Sequence, residues 1–332
     1  MTRVVSGMKE YFQSIAQAFF LDRALFGVGL LGLVLTLDPQ AFLAALYCSL
    51  VGFAHSISYS TPKVLKQFGL LTINGFFFGL AMSHIFEPST SFYICVLVGS
   101  FGLPFFVKAS YEVLQHWKLS PFIFPYIVLV WLFYLSAPGL SLVENTKAWP
   151  IIHTPLAGLH LVWPLWLRLL DATFLSTGRL LFLPDAAFGM AVILMLFVFS
   201  FRRAVYFLVG TGSALMIAYL LSGESFAWEY GYFSYSAGLV GLGLASFPQR
   251  HSWRTILIFC CFSCFITIAS DRFLANLALP ILSLPYVLTM WLAVLSRVPR
   301  INLSWAPDQR GTLASIRTIE TPVRKESNEK AA

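Results

Sequence analysis

The sequence predicts an all-α membrane protein with about ten transmembrane helices, arranged as two inverted five-span repeats. Three observations carry that expectation. Of the 332 residues, 58% are hydrophobic and 11% charged, against about 25% charged in an ordinary soluble domain. Apolar stretches fall near 24–37, 40–58, 68–86, 91–108, 121–137, 187–201, 204–221, 230–247, 253–270 and 279–297. The third observation is that the chain matches itself at a nearly constant offset.

The clearest self-match joins Pro121–Ser136, PFIFPYIVLVWLFYLS, to Pro280–Ser296, PILSLPYVLTMWLAVLS. Pro125, Tyr126 and Trp131 pair with Pro285, Tyr286 and Trp291, each 160 residues later. Residues 14–27, SIAQAFFLDRALFG, pair with 176–189, STGRLLFLPDAAFG, setting Phe20 against Phe182 at an offset of 162. At the same offset Gly69 meets Gly231 and Gly79 meets Gly241. Chance likeness between leucine-rich helices yields one such match, not three in register. Five spans is an odd number, so the second copy enters the bilayer from the other side. The expected relation is a pseudo-two-fold axis in the membrane plane.

Taken in order, the first and sixth stretches are short for a span of about 20 residues. Each follows an amphipathic piece, Tyr11–Phe20 or Leu165–Phe182. The fifth and tenth stretches open on paired prolines, Pro121 and Pro125 or Pro280 and Pro285. Helices broken there leave backbone groups unpaired, which membrane depth tolerates only where they face protein or a water-filled cavity. Two broken segments at matching places predict a central pore lined by broken or re-entrant helices. The expected division is a first repeat over 1–137, a connector over 138–165, a second repeat over 166–297 and a polar tail over 298–332.

Lys63, Lys66, Lys108, Lys118, Arg202, Arg203, Arg250, Arg254 and the basic residues of the tail fall on one side, with Glu87, Glu224 and Glu229 opposite. The positive-inside rule then places both termini in the cytoplasm, in a multi-pass protein of the cytoplasmic (inner) membrane. The net charge of +7 is read as this topology signal. It does not point to nucleic acid, because the basic residues of the tail are scattered among Asp308, Glu320, Glu326 and Glu329 without aromatic interleaving.

The five cysteines lie within apolar stretches without histidine or carboxylate company, so neither a metal site nor a disulfide framework is expected. No Gly-x-Ser-x-Gly elbow, His-Glu-x-x-His pair or P-loop occurs, so no enzyme, no cofactor and no nucleotide-driven pump is expected. The informative residues are polar groups inside apolar stretches, which line cavities or bond between helices. Gln17, Asn74, Arg179 and Ser236 qualify, with Glu112 and Asp271–Arg272 as outer candidates. For Asn74, lining a path and bonding between helices are both open.

At these stations the chain resembles the urea transporter family from about residue 10 to 297. Each five-span half of that family carries Gln-x-x-Phe, then Gly-x-x-Gly-[Phe/Tyr]-Asn, then Leu-Pro-Phe-Asn-x-x-Thr-Trp. Here Gln17-Ala18-Phe19-Phe20 fits the first, Ile73-Asn74-Gly75 the second, and Leu284-Pro285-Tyr286 through Trp291 the third. The resemblance implies a homotrimer in the lipid bilayer with one pore per subunit, passing urea or similar small neutral amides passively. It implies Phe20 and Phe182 as aromatic clamps and Gln17 as an inner acceptor.

The departures are at defined places. Arg179 holds the second-half glutamine position, Val130 and Met290 hold the threonine positions, and Ser236 replaces the second asparagine. Ile127 and Val287 stand where the Pro-Phe-Asn triplets have asparagine. Arginine supplies five donors and no acceptor. Paired with Asp171, Asp185 or Glu229, Arg179 is neutralised; unpaired and facing a pore, it favours a carbonyl or an anion and repels cations. The expected pore set is therefore Gln17, Phe20, Asn74, Val130, Arg179, Phe182, Ser236 and Met290. The alternative solute is a different small molecule, possible as an anion because of Arg179; a membrane protein without transport is the third reading.

Overall fold

Every one of the ten apolar stretches holds a helix, but the helices are of two kinds. The computed structural model describes residues 2–57, 61–145, 164–222, 228–246 and 252–296. Most of the predicted connector and the whole predicted tail lie outside the described residues. Helices α1 (Thr2–Ala16), α2 (Ala24–Leu37), α3 (Pro39–Ile57), α4 (Lys63–Gln67), α5 (Leu70–Ile85), α6 (Thr90–Leu114) and α7 (Phe124–Ser136) form the first half. Helices α8 (Leu165–Leu180), α9 (Ala186–Phe199), α10 (Phe201–Ser222), α11 (Tyr235–Ser246), α12 (Trp253–Asn276) and α13 (Leu284–Leu295) form the second.

Length separates the kinds. Four helices, within α3, α6, α10 and α12, are long and apolar enough to cross a membrane, and a fifth crossing arises if α1 and α2, bent by 75°, count as one. The helices α2, α5, α7, α9, α11 and α13 have 12 to 16 residues. At 1.5 Å per residue they reach about 18–24 Å, short of the ~30 Å hydrocarbon core. By length alone none of them spans that core unaided. The number of full crossings by length is thus four or five among the described residues, and the other predicted spans are short helices.

The two halves repeat their backbone as well as their sequence. Left-handed residues occur in matched pairs: Phe20 (φ 56°) with Phe182 (62°), Gly69 (56°) with Gly231 (65°), Lys118 (57°) with Ala278 (51°), and Phe122 (46°) with Leu282 (47°). Six of these eight carry side chains that the left-handed region penalises by about 1–2 kcal/mol each. Such strain persists only where the surroundings over-determine it, so its recurrence at equivalent positions marks one architecture used twice.

The centre is built from α5 and α11. Fifteen residues of α5 and the ten from Tyr235 to Leu244 in α11 are buried, so these helices are mostly apolar all round because protein surrounds them. They lie close to α3 and α10 through glycine. A Cβ on Gly79 would stand 2.5 Å from the Ala44 carbonyl oxygen, and one on Gly241 would stand 2.6 Å from that of Tyr206. Helices α6 and α12 turn Tyr93, Ile94, Val98, Phe105, Ile258 and Phe273 outward, the surface expected to meet lipid.

Candidate functional site at the broken helices

The breaks before α7 and α13 set the site. At each, the chain leaves a long helix, passes two left-handed residues and starts a short helix with proline in its first turn. Proline is tolerated there because its missing N–H has no helical partner in any case. The carbonyl at the second left-handed residue still needs a donor. For Phe122 that donor is the Asn74 amide, at 2.8 Å; the same amide reaches the Leu70 carbonyl at 2.8 Å, and its oxygen accepts from the Tyr126 N–H at 3.1 Å. Asn74 is fully buried and fully engaged, bracing the break.

In the second half Ser236 occupies the equivalent position and bonds sideways to Ser263 (2.9 Å) and Thr267 (3.1 Å) on α12. The brace moves one residue back: the Tyr235 hydroxyl donates to the carbonyl of Leu282, the counterpart of Phe122. The second half has thus exchanged an amide for a phenol while keeping the same carbonyl satisfied.

The breaks also lock the halves to each other. Trp131 donates its indole N–H to the Pro280 carbonyl and Trp291 donates to the Ser120 carbonyl, both at 2.8 Å. Positions 120 and 280 are themselves equivalent, so each half gives what it receives, the mark of a two-fold contact. The Tyr126 hydroxyl adds a bond to Ser283 Oγ at 2.7 Å.

One mouth forms around Phe182. A cavity of about 50 Å³ is lined by His84, Ile85, Arg179, Phe182, Pro184, Tyr232, Tyr235 and residues 281–283. That exceeds the ~10–15 Å³ one water requires and suits a solute of a few heavy atoms. The His84 and Phe182 ring centroids are 5.7 Å apart. Arg179 donates through Nε to the Tyr230 carbonyl at 2.6 Å, and its guanidinium carbon lies 5.7 Å from the Tyr232 ring centre. Tyr232 in turn donates its hydroxyl to Asp271 at 2.6 Å.

Two of the three carboxylates named from sequence are used elsewhere. Glu229 pairs with Arg168, and Asp185 caps α9 by accepting from the Phe188 N–H at 2.8 Å. Among the described residues Arg179 has no carboxylate within 4.0 Å. Of the outer candidates, Asp271 reaches the mouth through Tyr232, whereas Glu112 is exposed and takes its bond from Gln115.

The other end is wider. Gln17 lines a cavity of about 510 Å³ together with Glu10, Gln13, Ser14, Asp22, Lys66 and Gln67. Its amide N–H groups go to Asp22 at 2.5 Å and to the Gln67 carbonyl at 3.5 Å, which leaves its oxygen as the free acceptor among the described residues. Phe20 packs deeper, against Gly243: a Cβ there would meet Met290 Cε at 2.9 Å and Phe20 Cζ at 3.2 Å.

Between the ends, Val130 and Met290 are fully buried. Thr289 stands one residue before the family's threonine position, and its hydroxyl is spent on the Pro285 carbonyl at 2.7 Å. Sequence reading passed over Thr289, Tyr232, Tyr235, His84 and Ser283. The usable signal was asymmetry, since Tyr232 and Tyr235 stand where the first repeat has Leu70 and Ile73.

The arrangement is one cavity with the Phe182 ring and the donor-rich Arg179, a second with the Gln17 amide, and buried apolar side chains at Val130 and Met290, the latter next to Phe20. No curated protein matches the chain. A family model described as urea transporter matches residues 8–297, which takes in both repeats and both mouths. The chain belongs to the urea transporter family.

Proposed function

We propose that this member passes urea, or a similar small neutral amide, downhill through a pore in each subunit of a homotrimer. Its two halves are inserted in opposite senses in the cytoplasmic membrane, with both termini in the cytoplasm. The observation that carries the proposal is the pair Phe20 and Phe182, set at equivalent left-handed turns, with buried Val130 and Met290 as the waist.

Urea is planar, with one acceptor oxygen and four N–H donors. An aromatic face on each side fits the plane. The Arg179 guanidinium donates to the carbonyl at the Phe182 mouth, and the Gln17 oxygen receives N–H groups at the other end. Val130 and Met290 offer no polar atom to an ion that would have to shed its water, so the waist excludes ions by desolvation cost. Asn74 and Ser236 act behind the wall, holding the broken helices in place.

A second reading is favoured by one observation, the lack of a carboxylate partner for Arg179 among the described residues. An uncompensated guanidinium suits a small anion. Stopped-flow light scattering on proteoliposomes, comparing wild type with Arg179→Gln, separates the two. Urea entry in wild type that persists in the variant supports the amide reading. Urea entry only after the substitution, with formate entry in wild type, supports the anion.

A further inference from the structure

A second set of cations lies beside the Gln17 cavity, with which it shares Gln13 and Asp22 on its wall. Arg23, Arg202 and Arg203 line a cavity of about 360 Å³ between the starts of α2 and α10 and the end of α11. A cavity of about 440 Å³ shares Arg23 and Phe199 with it and adds Lys9, Leu25 and Val198. The two parts of this groove adjoin at Arg23 and Phe199; the first is basic, and the second sets Leu25, Val198 and Phe199 beside Lys9, Gln13 and Asp22.

The charges are only partly balanced from within, by Asp22. Asp22 lies close enough to attract Arg203, while Arg202 and Arg23 repel it; Asp22 also holds the Gln17 amide. Among the described residues none of the three arginines forms an ion pair within 4.0 Å, and Arg202 has only the Tyr206 ring, 5.7 Å from its guanidinium carbon. Like charges gathered this way are destabilising unless an anion joins them.

The apolar side chains decide which anion. Leu25 is 73% exposed and Val198 80% exposed, the most open apolar side chains near the groove. In a membrane protein an exposed apolar surface of this kind suits acyl chains. A free phosphate would engage the guanidinium forks and leave the apolar wall unused. A lipid uses both.

We propose that the groove binds the phosphate of an anionic phospholipid, with Arg23, Arg202 and Arg203 on the headgroup and Leu25 and Val198 beside the first acyl carbons. This is the leaflet toward which the positive-inside rule directs the basic residues, and basic pockets between membrane helices suit such headgroups.

The test uses the purified full chain in neutral detergent, titrated with phosphatidylglycerol while the melting midpoint is followed. Phosphatidylglycerol is expected to raise the midpoint and phosphatidylcholine is not. At about fivefold per cation, Arg202→Gln raises the half-effective concentration about fivefold, and the triple substitution Arg23→Gln, Arg202→Gln, Arg203→Gln on the order of a hundredfold. Arg254→Gln, an exposed basic residue outside the groove, leaves it unchanged. Equal responses from wild type and the triple variant overturn the proposal. A midpoint shift of the same size from inorganic phosphate alone also overturns it, by reassigning the groove to a soluble anion. If the triple variant does not fold, the comparison of Arg202→Gln with Arg254→Gln decides.

Discussion

Arg179 stands 162 residues after Gln17, and the two do the same backbone work with different charge. Each donates to a carbonyl just ahead of a left-handed glycine: Gln17 to Gln67, at 3.5 Å, before Gly69, and Arg179 to Tyr230, at 2.6 Å, before Gly231. The acceptors are not equivalent positions, since Gln67 matches Glu229 at that offset, so the repeat keeps a side-chain donor at this turn while making it an amide in one half and a cation in the other.

Arg179→Gln keeps a donor for Tyr230, so the variant folds. What it loses is a charged donor to the solute carbonyl. Charged hydrogen bonds exceed neutral ones by about 1 kcal/mol or somewhat more, so the urea concentration for half-maximal entry should rise about five- to tenfold with little change in the limiting rate. A stopped-flow series over urea concentration measures this directly.

Met290→Thr tests the waist. Met290 fills the space beside Phe20 and Gly243, and a threonine there is smaller and offers an oxygen. One added hydrogen bond of about 1 kcal/mol in the transit state corresponds to roughly a fivefold gain in urea rate. The same assay on the reconstituted variant should register it, and an unchanged or lower rate would remove Met290 from the path.

Asn74→Ala should cost far more stability than Ser236→Ala. The first leaves the Phe122 carbonyl and the Tyr126 N–H buried without their side-chain partner, a loss of about 2–4 kcal/mol. The second loses hydroxyl contacts between neighbouring helices, about 0.6 kcal/mol per bond by membrane precedent. Thermal unfolding in detergent ranks the two, and Tyr235→Phe should fall between them.

Trp131→Phe and Trp291→Phe each remove one bond between the halves and keep an aromatic ring. Each should cost about 1 kcal/mol, and the double variant should show their sum, because the two bonds involve different partners. A large excess in the double variant would mean that the halves separate cooperatively.

Much of this architecture was readable from residues alone. The repeat was, because prolines and glycines at equivalent breaks must recur when the backbone recurs, and the left-handed pairs around Phe20 and Phe182 follow that register. The role of Asn74 was not, since an amide inside an apolar helix gives the same sequence signal whether it faces solute or braces a turn. Tyr235 was hidden among the chain's many aromatic residues. The partner of Glu229 was also undetermined: Arg168 and Arg179 lie eleven residues apart on α8, about three turns on nearly the same face, and only packing decides that Arg168 takes it. Helix length within the apolar stretches was not readable either, because composition alone does not separate a 12-residue apolar helix from the middle of a longer one.

The central claim is downhill passage of urea through the two aromatic mouths. Its most direct test is urea entry into proteoliposomes of the wild-type chain against protein-free vesicles of the same lipid, with no ion gradient imposed. The account predicts entry at least about tenfold faster than the bare bilayer, a barrier lowered by about 1.4 kcal/mol or more, and formate entry no faster than in protein-free vesicles. Urea entry equal to that of protein-free vesicles, with formate crossing faster in the protein's presence, would contradict it.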